Sequence, residues 1–240
     1  MTMDQRRNAL GQPIGAPLAD WSPRSRPPRT AMPGRFCTVA PLDPERHAAE
    51  LFAAYAEDTE GRLWTYLPRG PYASLDDYRS WANAACQGED PLSHAIIDNV
   101  TGKAVGTAAF LRIEPPTGVI EIGSLAFSPR LQRRAPATEA MYLMMRRVFD
   151  ELGYRRYEWK CDSLNAPSRA AAERLGFRYE GLFRQATVTR GRNRDTAWFS
   201  VIDGEWPALK AAFERWLDPA NFAADGTQRR SLASLRSDPK

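Results

Sequence analysis

The segment between a predicted strand and the longest predicted helix has the residue types of an anion-binding site. The strand ends at Phe127, and the helix is expected over Ala137–Leu152. A helix N-terminus presents unpaired N–H groups and a partial positive charge, and small residues there let a phosphate approach the backbone. The segment supplies donors, positive charge and small side chains from Gln132, Arg133, Arg134, Ala135, Ala137 and Thr138. The sequence therefore predicts that this junction binds an anion.

Residue counts disfavour several other kinds of catalytic centre. The only histidines are His47 and His94, which argues against a histidine-based triad or a metal site. The three cysteines, Cys37, Cys86 and Cys161, are far apart and lack CxxC spacing. We therefore expect no metal ligands and no disulfide, and we expect the cysteines to act as small buried apolar residues.

The run Gln132–Ala137 resembles the pyrophosphate loop of the GNAT superfamily, usually written Q/R-x-x-G-x-G/A. Thr138–Ala140 continues it as members of the RimJ/RimL-like branch often do. Two positions depart from the pattern, because Ala135 replaces the first glycine and Pro136 removes one amide donor. The last position of the pattern, Ala137 in this chain, can be glycine or alanine, and proline is tolerated at the start of a helix. The resemblance therefore implies a tightened loop that still binds.

A second motif makes the resemblance specific. The segment Asp162–Ser168, with Ala172, Leu175–Phe177 and Glu180–Gly181 after it, is similar to the N-x-x-S…A-x-x-LGF-x-x-EG signature of the same branch. Both motifs occur in the family's order and at the expected separation. The resemblance covers residues 35 to about 203 and implies a GNAT N-acyltransferase of the RimJ/RimL-like branch.

This resemblance implies both a fold and a cosubstrate. The fold is of the α+β class, with a mixed, mostly antiparallel central sheet, flanking helices, and parallel strands that end at Phe127 and Cys161 and splay apart. The pantetheine of acetyl-CoA would fill the gap and pair, as an added strand does, with backbone groups of Leu125, Ala126 and Phe127. Asn165 would hydrogen-bond the cofactor arm, and the anion site would hold the pyrophosphate.

The resemblance also implies three catalytic candidates. An amine must be neutral to attack a thioester, and a proton or hydrogen bond stabilises the leaving thiolate. Glu121 stands where many GNAT enzymes hold the glutamate that takes the amine proton, usually through water, and Glu180 is the competing carboxylate. Ser168 would lie near the sulfur and donate to the thiolate. Two alternatives stay open: Glu121 as a solvated or ion-paired strand residue, and Ser168 as a helix cap or surface hydroxyl.

Five aromatic residues lie around the first two predicted helices, where GNAT enzymes form one wall of the acceptor site. They are Trp64, Tyr66, Tyr72, Tyr78 and Trp81. Their aromatic rings suit either packing or acceptor recognition, and the sequence leaves both interpretations open.

Hydrophobic periodicity and turn signals indicate the elements that position these residues, in the order β-α-α-β-β-β-α-β-α followed by the closing strands. The expected strands are Arg35–Pro41, Ser93–Asp98, Ala104–Ile113, Gly118–Phe127, Arg155–Cys161, Phe177–Glu180, Leu182–Arg190 and Arg194–Asp203. The expected helices are Pro44–Asp58, one capped by Ser74, Ala137–Leu152 and Asn165–Leu175.

We expect three parts along the chain. Residues 1–34 are rich in proline and arginine and should form an extended arm, because proline interrupts helices and inner strands. Residues 35–204 should form the GNAT acyltransferase domain, and residues 205–240 a helix and a polar tail. Ile14 and Trp21 supply enough apolar surface for the arm to lie against its own domain or a partner chain in a homodimer, and the sequence does not decide between them.

Composition restricts the class of protein. A chain of 240 residues with 43% hydrophobic and 26% charged residues is typical of a soluble globular protein with one sizeable core. It has no run of about 18 apolar residues and no apolar segment near its start, so we expect no membrane span, no secretory signal and a cytoplasmic protein. The net charge of +4 suits a phosphate-rich cosubstrate. Nucleic-acid binding is disfavoured, because much of the arginine lies in the tails and no predicted element carries a basic and aromatic stripe.

The sequence thus predicts an N-acyltransferase that moves an acetyl or similar small acyl group from acyl-CoA to a primary amine by direct attack in a ternary complex. One alternative keeps the fold and changes the donor, for example to succinyl-CoA. Another is a catalytically silent CoA-binding regulatory module, which the departures at Ala135 and Pro136 would explain. The acceptor, a small-molecule amine or a peptide N-terminus, is not indicated, because one fold serves many acceptors.

Overall fold

The computed structural model of the chain describes residues 6–237, so the first five residues of the expected arm and the last three of the expected tail lie outside it. The strands are β1 Arg6–Arg7, β2 Pro13–Ile14, β3 Met32–Pro33, β4 Cys37–Pro41, β5 Leu92–Asp98, β6 Ala104–Glu114, β7 Val119–Phe127, β8 Arg156–Asp162, β9 Arg178–Thr189 and β10 Arg192–Ile202. The α-helices are α1 Pro44–Tyr55, α2 Leu75–Gln87, α3 Ala135–Arg146, α4 Ala166–Arg174, α5 Trp206–Leu217 and α6 Leu232–Ser237.

Eight strands form one sheet in the order β3-β4-β5-β6-β7-β8-β10-β9. Neighbouring strands are antiparallel except β7 and β8, which are parallel. The pairing of β7 with β8 runs from Val119 with Arg156 to Ile122 with Trp159 and stops there. The ends of these two strands therefore separate, and the expected α+β fold with splayed parallel strands is confirmed.

Helices pack on both faces of the sheet. On one face, α3 and α5 enclose the larger apolar cluster together with Ile120, Tyr157 and Phe199. On the other face, α1 and α2 pack against β5 and β6. Glu121 and Lys160 alternate along their strands with core residues, so these charged side chains lie on the α1 and α2 side.

Several elements differ from their expected bounds, and helix α1 ends at Tyr55 rather than at Asp58. Helix α3 begins at Ala135, two residues early, and it gives way after Arg146 to a π-helical turn over Arg147–Glu151. The two strands expected around Gly181 form the single strand β9, because β9 pairs with β10 on both sides of this glycine. The helix cap at Ser74 is as expected, with its hydroxyl accepting from the Asp77 N–H.

The second half of the arm lies against its own domain. Trp21 Nε1 donates to the Pro116 carbonyl at 2.9 Å, and β3 extends the main sheet by pairing with β4. The buried Arg147 guanidinium donates to the Thr30 carbonyl at 2.8 Å. Residues 21–33 are thus held by the domain of their own chain.

The C-terminal segment after α5 is not polar throughout. Leu232 and Leu235 of α6 are buried in the main apolar cluster, and α6 packs against α5. Among residues 6–237, no helix is both long and apolar enough to cross a membrane.

Candidate active site

A β-bulge shapes the separated end of β7. The register of β7 against β6 shifts between Gly123 and Ala126, and Ser124 adopts a left-handed φ of 51°. The bulge reverses the side-chain alternation, so Ala126 packs toward α1 while Leu125 and Phe127 pack toward the α3 cluster. The three residues predicted to pair with pantetheine therefore lie on the part of β7 that β8 leaves unpaired.

The predicted anion site lies at the start of α3. Arg133 adopts a left-handed φ of 59°, and it and Arg134 are exposed and form no ion pair with any described residue. Ala135 is the first helical residue, and Pro136 in the second position leaves the first turn with one N–H fewer. The small side chains of Ala135 and Ala137 keep the backbone approachable. The structure thus places exposed positive charge beside a helix N-terminus.

Two polar side chains of the same segment bind protein groups. Gln132 Nε2 donates to the Phe127 carbonyl at 2.7 Å and so ties the loop to the end of β7. Thr138 is buried, and its hydroxyl accepts from Arg174 Nη2 of α4 at 3.1 Å. Thr138 therefore links α3 to α4, a contact that periodicity could not predict.

Helix α4 presents Ser168 to the open end of β8. Asn165 caps this helix, its side-chain oxygen accepting from the Ser168 N–H at 3.1 Å. Trp159 Nε1 donates to Ser168 Oγ at 3.0 Å, which occupies one acceptor position of the hydroxyl and leaves its proton to donate elsewhere. Burial raises the pKa of the neighbouring Cys161 thiol. Ser168 and Asn165 are both half-buried, beside the gap between β7 and β8.

Glu121 is a buried carboxylate with two differently placed oxygens. Its Oε2 accepts from Arg112 Nη1 at 2.5 Å and from Lys160 Nζ at 2.8 Å. Its Oε1 forms no hydrogen bond with the described residues and lies on the side of Gly123, where an added Cβ would come within 3.5 Å of it. The structure therefore fixes one oxygen and points the other toward the bulge.

Glu180 is held more completely. Both its oxygens accept from the Arg156 guanidinium, at 2.8 and 2.5 Å, and the Ser200 hydroxyl donates to it at 2.6 Å. The Arg156 hydrogen bonds are the main reason that the pKa of Glu180 falls to about 2. Arg156 also pairs with Glu158, which in turn contacts Lys160 at 2.7 Å. Glu121 and Glu180 thus lie at two ends of one network of alternating charges.

Lys160 is the site residue that sequence reasoning missed. Its ammonium lies between Glu121 and Glu158, and 3.6 Å from the centroid of the Trp198 ring. The alternation of polar and apolar residues along β8 could have predicted that Lys160 lies on the polar side of the strand, away from the core residues Trp159 and Cys161. Its partners follow only from the parallel register of β7 and β8, which periodicity does not give.

The loop between α1 and α2 bridges three parts of the site. Arg69 Nη2 donates to the Ser124 carbonyl at the bulge at 3.0 Å, and the Tyr66 hydroxyl donates to the Leu164 carbonyl before α4 at 3.1 Å. Arg190 from the turn between β9 and β10 donates to the Gly70 carbonyl. This loop therefore contacts the bulge of β7, the segment before α4 and the turn between β9 and β10.

Packing accounts for most of the predicted aromatic wall. Trp64 and Tyr78 are buried, and Trp64 meets Tyr72 edge to face at 5.5 Å. Trp81 lies beneath the Arg69 guanidinium, 4.5 Å from ring centroid to Cζ. These rings support the loop, whereas Tyr66 makes its contact across the site. Among the described residues, no cluster of three or more His, Cys, Asp or Glu side chains could hold a metal ion.

Comparisons with known proteins agree with this geometry. The family model described as "Acetyltransferase (GNAT) domain" matches residues 37–178. A GCN5-related N-acetyltransferase from Brucella melitensis is 49% identical, with a TM-score of 0.89 over 91% of this chain and 99% of that one. A probable GNAT-family acetyltransferase from Chromobacterium violaceum is 41% identical, with a TM-score of 0.76 over 82% of this chain and 98% of that one.

A more distant solved structure has the same fold. It is RimL, a ribosomal L7/L12 alpha-N-protein acetyltransferase in complex with coenzyme A, at 21% identity and a TM-score of 0.62. The match covers 72% of this chain and 98% of the RimL chain. At this identity the likeness shows a shared fold.

Proposed function

Since this chain belongs to the acetyltransferase (GNAT) family and is an acetyl-CoA-dependent N-acetyltransferase, we propose that it acetylates a primary amine by direct attack of the neutral amine on the thioester. Three features of β7, β8 and the helix α4 that follows them support the proposal. They are the unpaired end of β7, the free oxygen of Glu121 and the hydroxyl of Ser168.

The residues around the gap fit coenzyme A. Backbone groups of Leu125–Phe127 have no strand partner on the β8 side and can pair with pantetheine. Arg133 and Arg134 offer positive charge beside the N-terminus of α3, where Ala135 and Ala137 leave room for a pyrophosphate. The Asn165 oxygen is used in its cap, so its side-chain amide N–H groups are the ones that would serve the cofactor arm.

We assign the base to Glu121, acting directly or through one water. Arg112 and Lys160 hold Oε2 and thereby orient the carboxylate, so that Oε1 can accept the amine proton. Glu180 is a poorer candidate, because a carboxylate with a pKa of about 2 and both oxygens on Arg156 is a weak base at neutral pH. We assign Ser168 as donor to the leaving thiolate, since Trp159 already fills one acceptor position of its hydroxyl.

Thermal unfolding and thiol release test this proposal together. Coenzyme A should raise the melting temperature, because a ligand at a hundredfold excess over its Kd stabilises the native state by about 2.7 kcal/mol. Thiol release from acetyl-CoA should require an added amine, and a panel of small amines and peptides would identify the acceptor class. If thiol release from succinyl-CoA is faster than from acetyl-CoA, succinyl-CoA is assigned as the acyl donor. A melting shift without release in the presence of any amine would indicate a silent binding module.

A further inference from the structure

The ammonium of Lys160 lies where the backbone pairing of β7 and β8 stops. The last paired residues are Ile122 and Trp159, and Lys160 is the next residue of β8. Its Nζ is 2.8 Å from Glu121 Oε2 on β7 and 2.7 Å from Glu158 Oε2 on its own strand. A side-chain ion pair therefore continues the link between the two strands at the start of the gap.

Glu121 and Glu158 are two carboxylates in register. They are Cα partners in the parallel pairing of β7 with β8, and both contact the same ammonium, so their side chains lie on one face of the sheet. The exposed fractions of these side chains are 5% and 9%, so little water screens their mutual repulsion. Two buried carboxylates in such a position oppose each other's ionisation unless a cation lies between them.

Two other cations lie on the side of Glu121. Arg112 on β6 pairs with it, but the Arg112 side chain is 60% exposed, so water screens its charge. Arg69, from the loop between α1 and α2, donates to the Ser124 carbonyl of the bulge at 3.0 Å. Neither arginine pairs with Glu158 in the part of the chain that the structure describes.

The cation on the other side is shared. Arg156 pairs with Glu158 at 2.7 Å and also with Glu180 of β9 at 2.5 Å, so its charge is divided between two carboxylates. Within residues 6–237, the ammonium of Lys160 is thus the cation that contacts both Glu121 and Glu158.

An aromatic ring fixes this ammonium on a third side. Trp198 of β10 is the cross-strand partner of Lys160, and its ring centroid is 3.6 Å from Nζ. Phe183 of β9 stacks on Trp198 with ring centroids 4.4 Å apart. The face of an aromatic ring attracts a cation in place of water. The Lys160 side chain is 5% exposed, so its charge is fixed and poorly screened.

We propose that Lys160 is a positioning residue that keeps Glu121 ionised as the base by balancing the charge of Glu158. This inference rests on the proposed function and adds the group that sets the acid limb of its pH dependence. One fixed ammonium between two buried carboxylates stabilises the ionised form of both. Glu121 then accepts the amine proton on Oε1 while its Oε2 stays paired with Lys160.

Titration of the Glu121 carboxyl group tests this without any acceptor. The signal is the ¹³C resonance of that carboxyl carbon in protein labelled on glutamate and saturated with coenzyme A, and it is assigned by its loss in E121Q. K160M should move the midpoint of the titration up by about 1 to 3 pH units, the usual effect of an adjacent opposite charge. E158Q should move it down, because the like charge is gone. E158Q/K160M should fall between the two, near the unchanged protein.

The acid limb of kcat/KM should follow the same order. It is measured with acetyl-CoA and the amine that gives the fastest thiol release, and the rate of K160M should recover as the pH rises. Lys210 supplies the matched control, because its Nζ also lies between two carboxylates, 2.7 Å from Asp150 and 4.0 Å from Glu214. It belongs to α5, on the opposite face of the sheet from Glu121. K210M should leave the titration and the acid limb unchanged.

Three results would overturn the inference. The first is an equal loss of kcat/KM by K160M at every pH with an unshifted Glu121 titration, which would make Lys160 a packing residue. The second is a shift by E158Q/K160M as large as that by K160M, which would show that Glu158 is not the charge that Lys160 balances. The third is an unshifted titration in E158Q, which decides the question even if K160M does not fold. The expected titrations without thiol release in the presence of any amine would support the role of Lys160 in ionisation and contradict the proposed function instead.

Discussion

Glu121 Oε1 has no hydrogen-bond partner within residues 6–237, while Arg112 and Lys160 hold Oε2, so the carboxylate can be replaced by an amide with little change in shape. We expect Glu121→Gln to lower kcat by about 10² to 10⁴, the usual contribution of a positioned base. Coenzyme A affinity should change little. Raising the pH should restore part of the rate, because it supplies neutral amine without the base. Steady-state kinetics across pH measure this, with the melting temperature as a check on folding.

Glu180→Gln is the matched control for that experiment. It removes a carboxylate on the same face whose oxygens are both occupied by Arg156. It should keep most of kcat. Loss of activity in Glu180→Gln with full activity in Glu121→Gln would move the base to Glu180.

Ser168 should affect a different part of the reaction. Ser168→Ala removes the proposed donor to the leaving thiolate and should lower kcat less than Glu121→Gln does, because water can still stabilise a thiolate. Unlike the loss of a base, this defect should not be relieved at high pH. Ser168→Thr keeps a hydroxyl and should retain more activity than Ser168→Ala. If Ser168→Ala has the same kcat as the unchanged protein, Ser168 does not donate to the thiolate and its role is limited to the hydrogen bond with Trp159.

At the scale of elements, Glu139 joins α3 to the start of β4. Its buried carboxylate accepts from three consecutive backbone N–H groups, those of Arg35, Phe36 and Cys37, at 2.6 to 2.8 Å. Glu139→Gln puts an amide N–H against these donors, and an unsatisfied buried donor costs about 1 to 3 kcal/mol. Urea unfolding should show that loss. Exposed Glu173→Gln on α4 should change the free energy of unfolding by less than about 0.5 kcal/mol.

The sequence predicted elements better than contacts between them. Periodicity indicated the order of helices and strands along the chain, because that order depends on local patterns. The splayed pair and the place of Ser168 were implied by the family resemblance that the two motifs carry. The link between Glu121 and Lys160 depends on the parallel register of two strands separated by α3. Glu139 looked like part of a motif, yet its partners lie about a hundred residues away in the chain. Such long-range pairs leave no local signal.

At the scale of the whole molecule, His94 should make stability depend on pH. Its ring is fully buried, neither ring nitrogen has a partner among residues 6–237, and burial together with Arg147 and Arg29 lowers its pKa to about 4. The unfolded chain binds this proton near pH 6.5, so stability is full above that pH and falls as the pH drops toward 4. The loss at pH 5 should be about 2 kcal/mol. Urea unfolding at pH 7.5 and 5 measures it, and His94→Phe should reduce the difference.

The arm should divide into a dispensable and a structural part. Removing residues 1–20 leaves Trp21, β3 and the acceptors of Arg147 in place, so the melting temperature should stay nearly constant. Removing residues 1–34 strips the edge of the sheet and leaves a buried guanidinium without Thr30, so stability should fall even where coenzyme A still binds. Equal melting temperatures for the two truncations would show that the contacts of residues 21–33 contribute little.

The exposed edge of β9 also bears on how the protein behaves in concentrated solution. An edge strand that pairs with described residues on one side only, and that carries Leu182, Phe183 and Val188 on its surface, is a template for strand-to-strand aggregation. The neighbouring arginines act as gatekeepers, because two such edges repel each other before their backbones can pair. At about 0.15 M salt the Debye length is only about 8 Å, and it shortens further as salt is added. Ionic strength and polyanions therefore control colloidal stability through the arginines of β9, β10 and the turn between them.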